Sequence, residues 1–423
     1  MFAMLITQRA LALGLTTLLC ATLVAPAHAL EPPLTFAAAV QRGLERAPQL
    51  DAQDADFAAA QEEAARAGQL PDPALTFGVA NYPVTAPGAF SMRSDSMTMR
   101  TVGVMQAIPS RAARAAGRRL ANAQIDAAAA NRVATKQTVR ERVADAWIDV
   151  WAAGQKRALL TELRDESTLA ANTAQARLRG GDGNAPDALA ARAASALLDN
   201  RLDAVEAEVT ATRASLLRWV GPGVGALACA PDFAHLAATS ESLHKSIDAQ
   251  APMQTWAARE QVAQAALDQA RAAKHPDWSL SAEYGNRVSG LSYMIMLQVS
   301  VSLPLFTSNR QDRGITAKQM LRDAVQADHE DARRAQAETV ARAAATWQGW
   351  NRQIERYQTT LLPLARDRAK TALAGYAGGG GLQPWLDARR DEIELRLGYA
   401  DALAARARLW AALAYLLPAE VAP

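Results

Sequence analysis

The sequence predicts a mainly α-helical chain with a membrane β-barrel portion, built twice over from one unit. Three observations lead there: an exported start with no helical span after it, a duplicated order of elements, and heptad seams on the longest helical stretches.

Residues 1–29 read as a secretory leader: Arg9, an apolar run from Ala10 to Val24, and the small-residue cleavage pattern Ala27-His28-Ala29. The mature chain is expected to begin at Leu30. No later stretch approaches the roughly 20 uninterrupted apolar residues of a helical span, so any membrane crossing must use strands. Cys20 follows the bulky Leu19 and lies upstream of the cleavage site, which marks it as part of the leader and not a lipid-attachment residue. With it removed, Cys229 has no partner for an intrachain disulfide.

The 45 Lys and Arg residues nearly balance 43 Asp and Glu residues and are interspersed with them, which argues against a nucleic-acid partner. Half the residues are hydrophobic, yet only 5% are aromatic and much of the rest is alanine. Closely packed helices have this composition.

The two units run over 30–230 and 231–423. Arg46-Ala47-Pro48-Gln49 matches Gln250-Ala251-Pro252-Met253, each opening an alanine-rich helix. Leu70-Pro71-Asp72-Pro73-Ala74-Leu75 matches His275-Pro276-Asp277-Trp278-Ser279-Leu280, where proline stops that helix. Gln106-Ala107-Ile108-Pro109 matches Val301-Ser302-Leu303-Pro304, and the turn around Gly183 to Leu189 matches that around Gly380 to Leu386. Each unit therefore reads helix, strand, loop, strand, helix, glycine-rich turn, helix.

Strand pairs are expected at about 74–108 and about 278–304. In the second, Ile295, Leu297, Val299, Val301 and Leu303 alternate with Met294, Met296, Gln298, Ser300 and Ser302. Its partner sets Trp278, Leu280, Ala282 and Tyr284 against Ser279, Ser281 and Glu283. About ten residues of this alternation, with Trp278, Tyr284 and Tyr293 near the ends and a polar opposite face, suit a wall between lipid and a water-filled lumen. The first pair is diluted by Gly78, Ala80, Gly103 and Gln106.

Beyond Pro109 no strong helix breaker occurs before Gly180, predicting a helix of about 65 residues and roughly 100 Å. Val139, Val143, Trp147 and Trp151 recur every four residues along it. After the turn, Leu198, Leu202, Val205, Val209, Thr212, Leu216 and Trp219 form a heptad seam, so the helices pair as an antiparallel coiled coil. Leu386, Ile393 and Leu397 start a similar seam, and the turns at about 178–187 and 376–386 become hairpin tips.

These features resemble the TolC-like outer-membrane factor family, and within it the channel subunits of heavy-metal efflux of the CzcC type. The resemblance spans essentially the whole mature chain. It is carried by Leu34-Thr35-Phe36-Ala37-Ala38-Ala39-Val40 with Ala47-Pro48, by Gly68-Gln69-Leu70-Pro71-Asp72-Pro73 with the strand Met97 to Gln106, and by the two tips. It implies long antiparallel coiled-coil helices forming a periplasmic α-barrel, with four strands per chain contributing to a 12-stranded barrel in a homotrimer. Chemistry alone supports part of this, since four strands cannot close a barrel that needs at least eight.

The resemblance further implies a passive conduit in the outer membrane of a Gram-negative bacterium, in contact with outer-membrane lipid. It would join a periplasmic membrane-fusion adaptor to an inner-membrane proton-driven pump of the resistance-nodulation-division type. By position, Leu178, Gly180, Gly181, Asp187 and Leu189 would meet the adaptor at the first tip, and Tyr376, Gly378, Leu382, Leu386 and Asp387 at the second. Asp187, Arg192, Asp387 and Arg389 would supply the charges of a periplasmic gate. Leu178 departs from the family in standing where many relatives have an aromatic, and the second tip departs in its four consecutive glycines.

The alternatives are an outer-membrane channel for drugs or other small organic molecules and, from another class, a periplasmic coiled-coil adaptor or scaffold. An adaptor would usually carry one hairpin flanked by small β-domains. Met92, Met97, Met99, Met105, Met294 and Met296 cluster near the loop and strands; thioethers suit copper(I) or silver(I), but filling irregular apolar space is the preferred role. His235, His244, His275 and His329 lack paired ligand spacing, so no metal site is assigned. Carboxylates on coiled-coil faces read as solvated pairs. No catalytic constellation or phosphate loop stands in a strand-to-helix context, so neither an enzyme nor a cofactor is expected.

Overall fold

A computed structural model describes residues 33–85, 87–287 and 291–416; the leader expected at 1–29, with Cys20, lies outside them. Thr35 caps α1 (Phe36–Arg46) by accepting the Ala38 N–H, and Pro48 opens α2 (Pro48–Arg66) where no N–H donor is needed. Strands β1 (Ala74–Ala80) and β2 (Met99–Ile108) follow. Ser110 then caps α3 (Arg111–Gly180), whose 70 residues run without a break for about 105 Å. After α4 (Ala185–Val220), a connecting segment holds the short α5 (Ser240–Lys245).

The second half repeats the order with α6 (Ala251–Ala272, opened by Pro252), β3 (Asp277–Arg287), β4 (Met294–Ser302), α7 (Gln311–Arg356), α8 (Leu362–Ala377) and α9 (Gln383–Ala414). One difference separates the halves. The counterpart of α3 is interrupted by a π-helical stretch, Tyr357–Leu361, directly before Pro363. Proline lacks an N–H and crowds the carbonyl four residues back, and the wider π turn accommodates both.

The four strands form one antiparallel sheet in the order β1-β2-β3-β4. The two expected strand pairs are thus joined by a third pairing, β2 with β3, from Met99↔Arg287 to Ile108↔Trp278. Register places Phe77, Val102, Tyr284 and Ile295 in one cross-strand row and Leu75, Val104, Ala282 and Leu297 in another. These apolar side chains are exposed, Ile295 by 74% and Leu297 by 75%. The opposite face carries Thr76, Gly103, Glu283 and Met296 in one row and Ala74, Met105, Ser281 and Gln298 in the next. An apolar face of this extent has lipid as its solvent, and the polar face belongs to an aqueous lumen. Among the described residues, no helix is long and apolar enough to cross a membrane.

Helix packing continues the same wall. Below the sheet α3 lies between α2 and α6, and farther on between α4 and α9; both α6 and α9 also pack on α7. One side of the subunit is therefore β1, α2 and α4, all from the first half, and the other is β4, α7 and α8, all from the second.

The largest core sits midway along α3. Val139, Val143, Trp147 and Ile148 are fully buried against α1, α4 and the connecting segment. Phe36 meets Trp147 edge-on at 5.4 Å, and Phe233 meets Trp410 at 5.3 Å. Trp147 donates to the Leu34 carbonyl at 3.2 Å and Trp410 to that of His235 at 2.7 Å. The approach at Gly43 is close enough that a Cβ would meet Val143 Cγ2 at 2.4 Å.

Asp145 borders this core, and burial, with Glu141 and Asp149 nearby, pushes its pKa up to about 6 despite Arg142 and Arg408. A raised carboxylate pKa means that the folded state binds the proton more tightly than the unfolded one. Its stabilising contribution is therefore complete below the unfolded value near 3.8 and is lost as pH rises through about 6. In thermal unfolding, Asp145→Asn should flatten the rise in stability between pH 7 and pH 4 relative to wild type. Parallel pH profiles would show that Asp145 is not the responsible group.

Candidate functional site: the hairpin tips

Both tips are built by backbone chemistry before any side chain contributes. At the first, Gly181 adopts φ 84° to close α3, while the Asp182 N–H reaches the Arg177 carbonyl at 3.0 Å. This left-handed stop suits glycine. Asn184 caps α4 by accepting the Asp187 N–H at 2.8 Å, and its amide donates to the Asp187 carboxylate at 3.0 Å. At the second tip, Gly379 has φ 93° and the Gly380 N–H returns to the Gly375 carbonyl at 3.0 Å.

The tips lie together. Leu382 is buried with Ala171 and Ala174 of α3 and Ala191 of α4, and Tyr376, Trp385 and Leu386 pack around them. Arg177 covers the Tyr376 ring at 4.7 Å. Of the expected adaptor-facing residues, Leu382 is thus core, and Tyr376 and Leu386 partly so. Leu178 and Asp187 are half-buried, while Gly180, Gly181, Gly378 and Leu189 are open; Leu189 is 64% exposed. Asp387 is half-buried and pairs with Arg390 at 3.2 Å.

A charged network above the tips escaped the sequence reading. Glu392, expected on a solvated face with the other carboxylates, is only 1% exposed. Arg389 Nη1 lies 2.6 Å from its Oε2 and Arg396 Nη2 2.6 Å from its Oε1. Arg389 also pairs with Glu166, and Arg396 lies 3.7 Å from Glu162, both on α3. Arg201 of α4 reaches Glu394 at 2.5 Å, and Arg368 of α8 reaches Asp391 at 2.7 Å. A cavity of about 480 Å³ lined by Glu166, Arg366, Lys370, Trp385, Arg389 and Arg396 adjoins the network. Helix α9 is therefore fastened to α3, α4 and α8 by ion pairs that flank its apolar seam at Ile393. The spacing of Arg389, Glu392 and Arg396 by three and four, which puts them on one face of α9, was the signal available in sequence, but only with the α3 partner known.

Among the four expected gate residues, Arg389 is committed to Glu166 and Glu392, Asp387 to Arg390, and Asp187 to the Asn184 cap. Among the described residues, Arg192 forms no ion pair, and its side chain is exposed.

On the sheet, the packing role expected for methionine fits Met99, 5% exposed and wedged against Gly285. Met105 and Met294 are each 40% exposed on the lumen face, and Met296 shares that face. The strand methionines thus all stand on the polar side of the wall.

An apolar-skinned sheet with two free edges, continued by helices of about 100 Å, defines a wall subunit of a membrane barrel with a long helical extension. The chain belongs to the Outer membrane efflux protein family, which it matches over residues 39–222 and 243–418. No curated protein matches it in sequence. Its fold is similar to that of a membrane protein from Pseudomonas aeruginosa, with a TM-score of 0.79 and 17% identity over 90% of each chain. The outer membrane protein VceC of Vibrio cholerae gives 0.73 and 15% over 89% of this chain and 94% of its own. CusC, described as forming a transmembrane channel, gives 0.71 and 18% over 90% and 92%.

Removing the carboxylate of Glu392 leaves two guanidinium groups crowded without their shared partner, a loss of about 3 kcal/mol or more for a buried pair. Glu392→Ala should lower amide-exchange protection across the tip half of α9 by about 100-fold while the midpoint core around Trp147 keeps its protection. Unchanged exchange in α9 would deny the network its fastening role.

Proposed function

We propose that the chain is the outer-membrane channel subunit of a tripartite resistance-nodulation-division efflux system, a passive conduit for heavy-metal cations. The observation that carries the channel reading is the sheet: an apolar outer face, a polar inner face and two unpaired edges. Edge strands cannot stay open in lipid, because each free backbone group there lacks a partner. The edges come from opposite halves of the chain, so subunits associate head to tail, β1 beside β4 of a neighbour, in a ring. Three subunits give a 12-stranded barrel continued by a helical tunnel, the assembly implied by resemblance. A detergent-dependent trimer after membrane fractionation is expected, whereas a soluble periplasmic monomer would favour the scaffold alternative.

The tips are the docking surface for a periplasmic membrane-fusion adaptor coupled to an inner-membrane proton-driven pump. Open glycines at Gly180, Gly181 and Gly378 and the exposed Leu189 support this reading, because they leave apolar and backbone surface for a partner's helices. Arg192 is the residue of the expected gate set best placed to reach another subunit. Leu189→Asp should abolish resistance while trimer assembly persists. Wild-type resistance in that variant would remove the docking role from the first tip.

Metal cations are favoured over drugs by the resemblance of Gly68 to Pro73 and Met97 to Gln106 to the heavy-metal branch of the family. A strain lacking the gene should become sensitive to one or more of cobalt, zinc, cadmium, nickel, copper and silver, with little change toward detergents and dyes. Sensitisation to organic compounds alone would select the drug-channel alternative.

A further inference from the structure

The polar face of the sheet is almost free of charge. Thr76 and Thr101, Ser279 and Ser281, and Gln298 and Ser300 occupy most of its middle positions. Its charged residues at the ends are engaged locally: Asp277 accepts the Ser110 N–H at 2.7 Å beside α3, and Arg287 donates to the Ser292 carbonyl at 3.1 Å at the opposite rim. Between them stands Glu283, which makes no ion pair among the described residues.

The wall around Glu283 is cut back to receive it. Gly103 lies directly across on β2, and a Cβ there would meet Glu283 Cγ at 2.4 Å, Thr76 Oγ1 at 2.9 Å and the Ala282 carbonyl oxygen at 3.0 Å. Gly285 follows two residues on along β3, and Gly78 faces Thr101 in the adjoining row. The side chain rests across this glycine floor, half-buried, with the Met296 position directly opposite on β4. A glycine inside a strand weakens it, and a close approach to a neighbour is the usual compensation. Here the neighbour is the one charged residue in the middle of that face among the described residues of the sheet.

We propose that Glu283 sets the charge selectivity of the barrel, admitting cations in preference to anions. The inference rests on the channel reading above and adds to it a residue and an ionic class. In a closed ring the carboxylate recurs once per subunit at a single level; the cation of the same face, Arg287, stands four residues on at the rim, and Asp277 at the opposite end offsets its charge. Low-dielectric walls focus the field of Glu283 into the lumen, raising the local cation concentration and lowering that of anions. The effect is strongest when the Debye length exceeds the roughly 8 Å of physiological salt.

The test is the reversal potential of the purified channel in a planar bilayer under a potassium chloride gradient at low salt. Wild type should favour potassium. Glu283→Gln should reduce the potassium-to-chloride permeability ratio by about threefold or more, and Glu283→Lys should turn the preference toward chloride. Glu283→Asp, which keeps the charge, should retain wild-type selectivity and serves as the control for folding. Conducting Gln and Lys variants with the wild-type reversal potential would overturn the assignment of Glu283 while leaving the channel reading intact. A wild-type protein that inserts but never conducts would overturn the channel reading itself, and this inference with it.

Discussion

A β-strand in lipid must pair both of its backbone edges, because hydrocarbon offers no water to satisfy a free N–H or carbonyl. The four-stranded sheet pairs internally from β1 to β4 and ends with two open edges. The remainder of the molecule follows from that constraint. Helices α2 and α4 continue the edge begun by β1, and α7 and α8 continue the edge begun by β4, so one association satisfies the full height of the wall. Duplication makes this economical in design, since a repeated unit placed side by side yields two different edges, one from each half.

Such a wall has little thickness in which to bury large side chains. The chain answers with alanine along α3, α4 and α9 and gathers its largest cluster of bulky residues into a girdle around Trp147, Phe233 and Trp410. There the connecting segment wraps the bundle, and Leu34 bridges Leu227 in a short parallel contact. Near the tips Leu382, Tyr376, Trp385 and Leu386 form a smaller apolar cluster, a second one gathers Leu160, Leu163, Leu198, Leu202 and Ile393, and ion pairs across α3, α4, α8 and α9 supplement both. Ion pairs hold geometry with less net stabilisation than apolar burial.

Where the sequence was legible, the reason is periodicity. The alternation at 294–303 repeats often enough to fix which face is apolar, and the seam from Leu198 to Leu216 to fix which face is buried, with Leu198, Leu202, Val205 and Leu216 buried accordingly. Gly103 diluted the pattern of β2 because that position is shaped by Glu283 on a strand about 180 residues away. The β2–β3 pairing was illegible for a related reason: two hairpins with good alternation do not reveal which edges meet. Leu382 looked like a surface contact by position in a tip, yet the preceding glycines offer no side chains, so the first apolar residue after them becomes the plug. Glu392 differs from its exposed neighbours only through partners on α3, which no local pattern displays.

The two halves are not equivalent in stiffness. Helix α3 crosses the girdle without a break, whereas its counterpart changes to a π turn at Tyr357–Leu361 and restarts at Leu362. Gln358 donates to the Tyr399 hydroxyl at 2.7 Å, and the two tyrosine rings at 357 and 399 lie 5.9 Å apart, so the interruption is held by side chains from α9. A helix with wider, weaker hydrogen bonding at one turn bends there before it bends elsewhere. The interruption therefore lies between the girdle and the charged network on the α7–α8 side only, while α3 and α9 run past it unbroken.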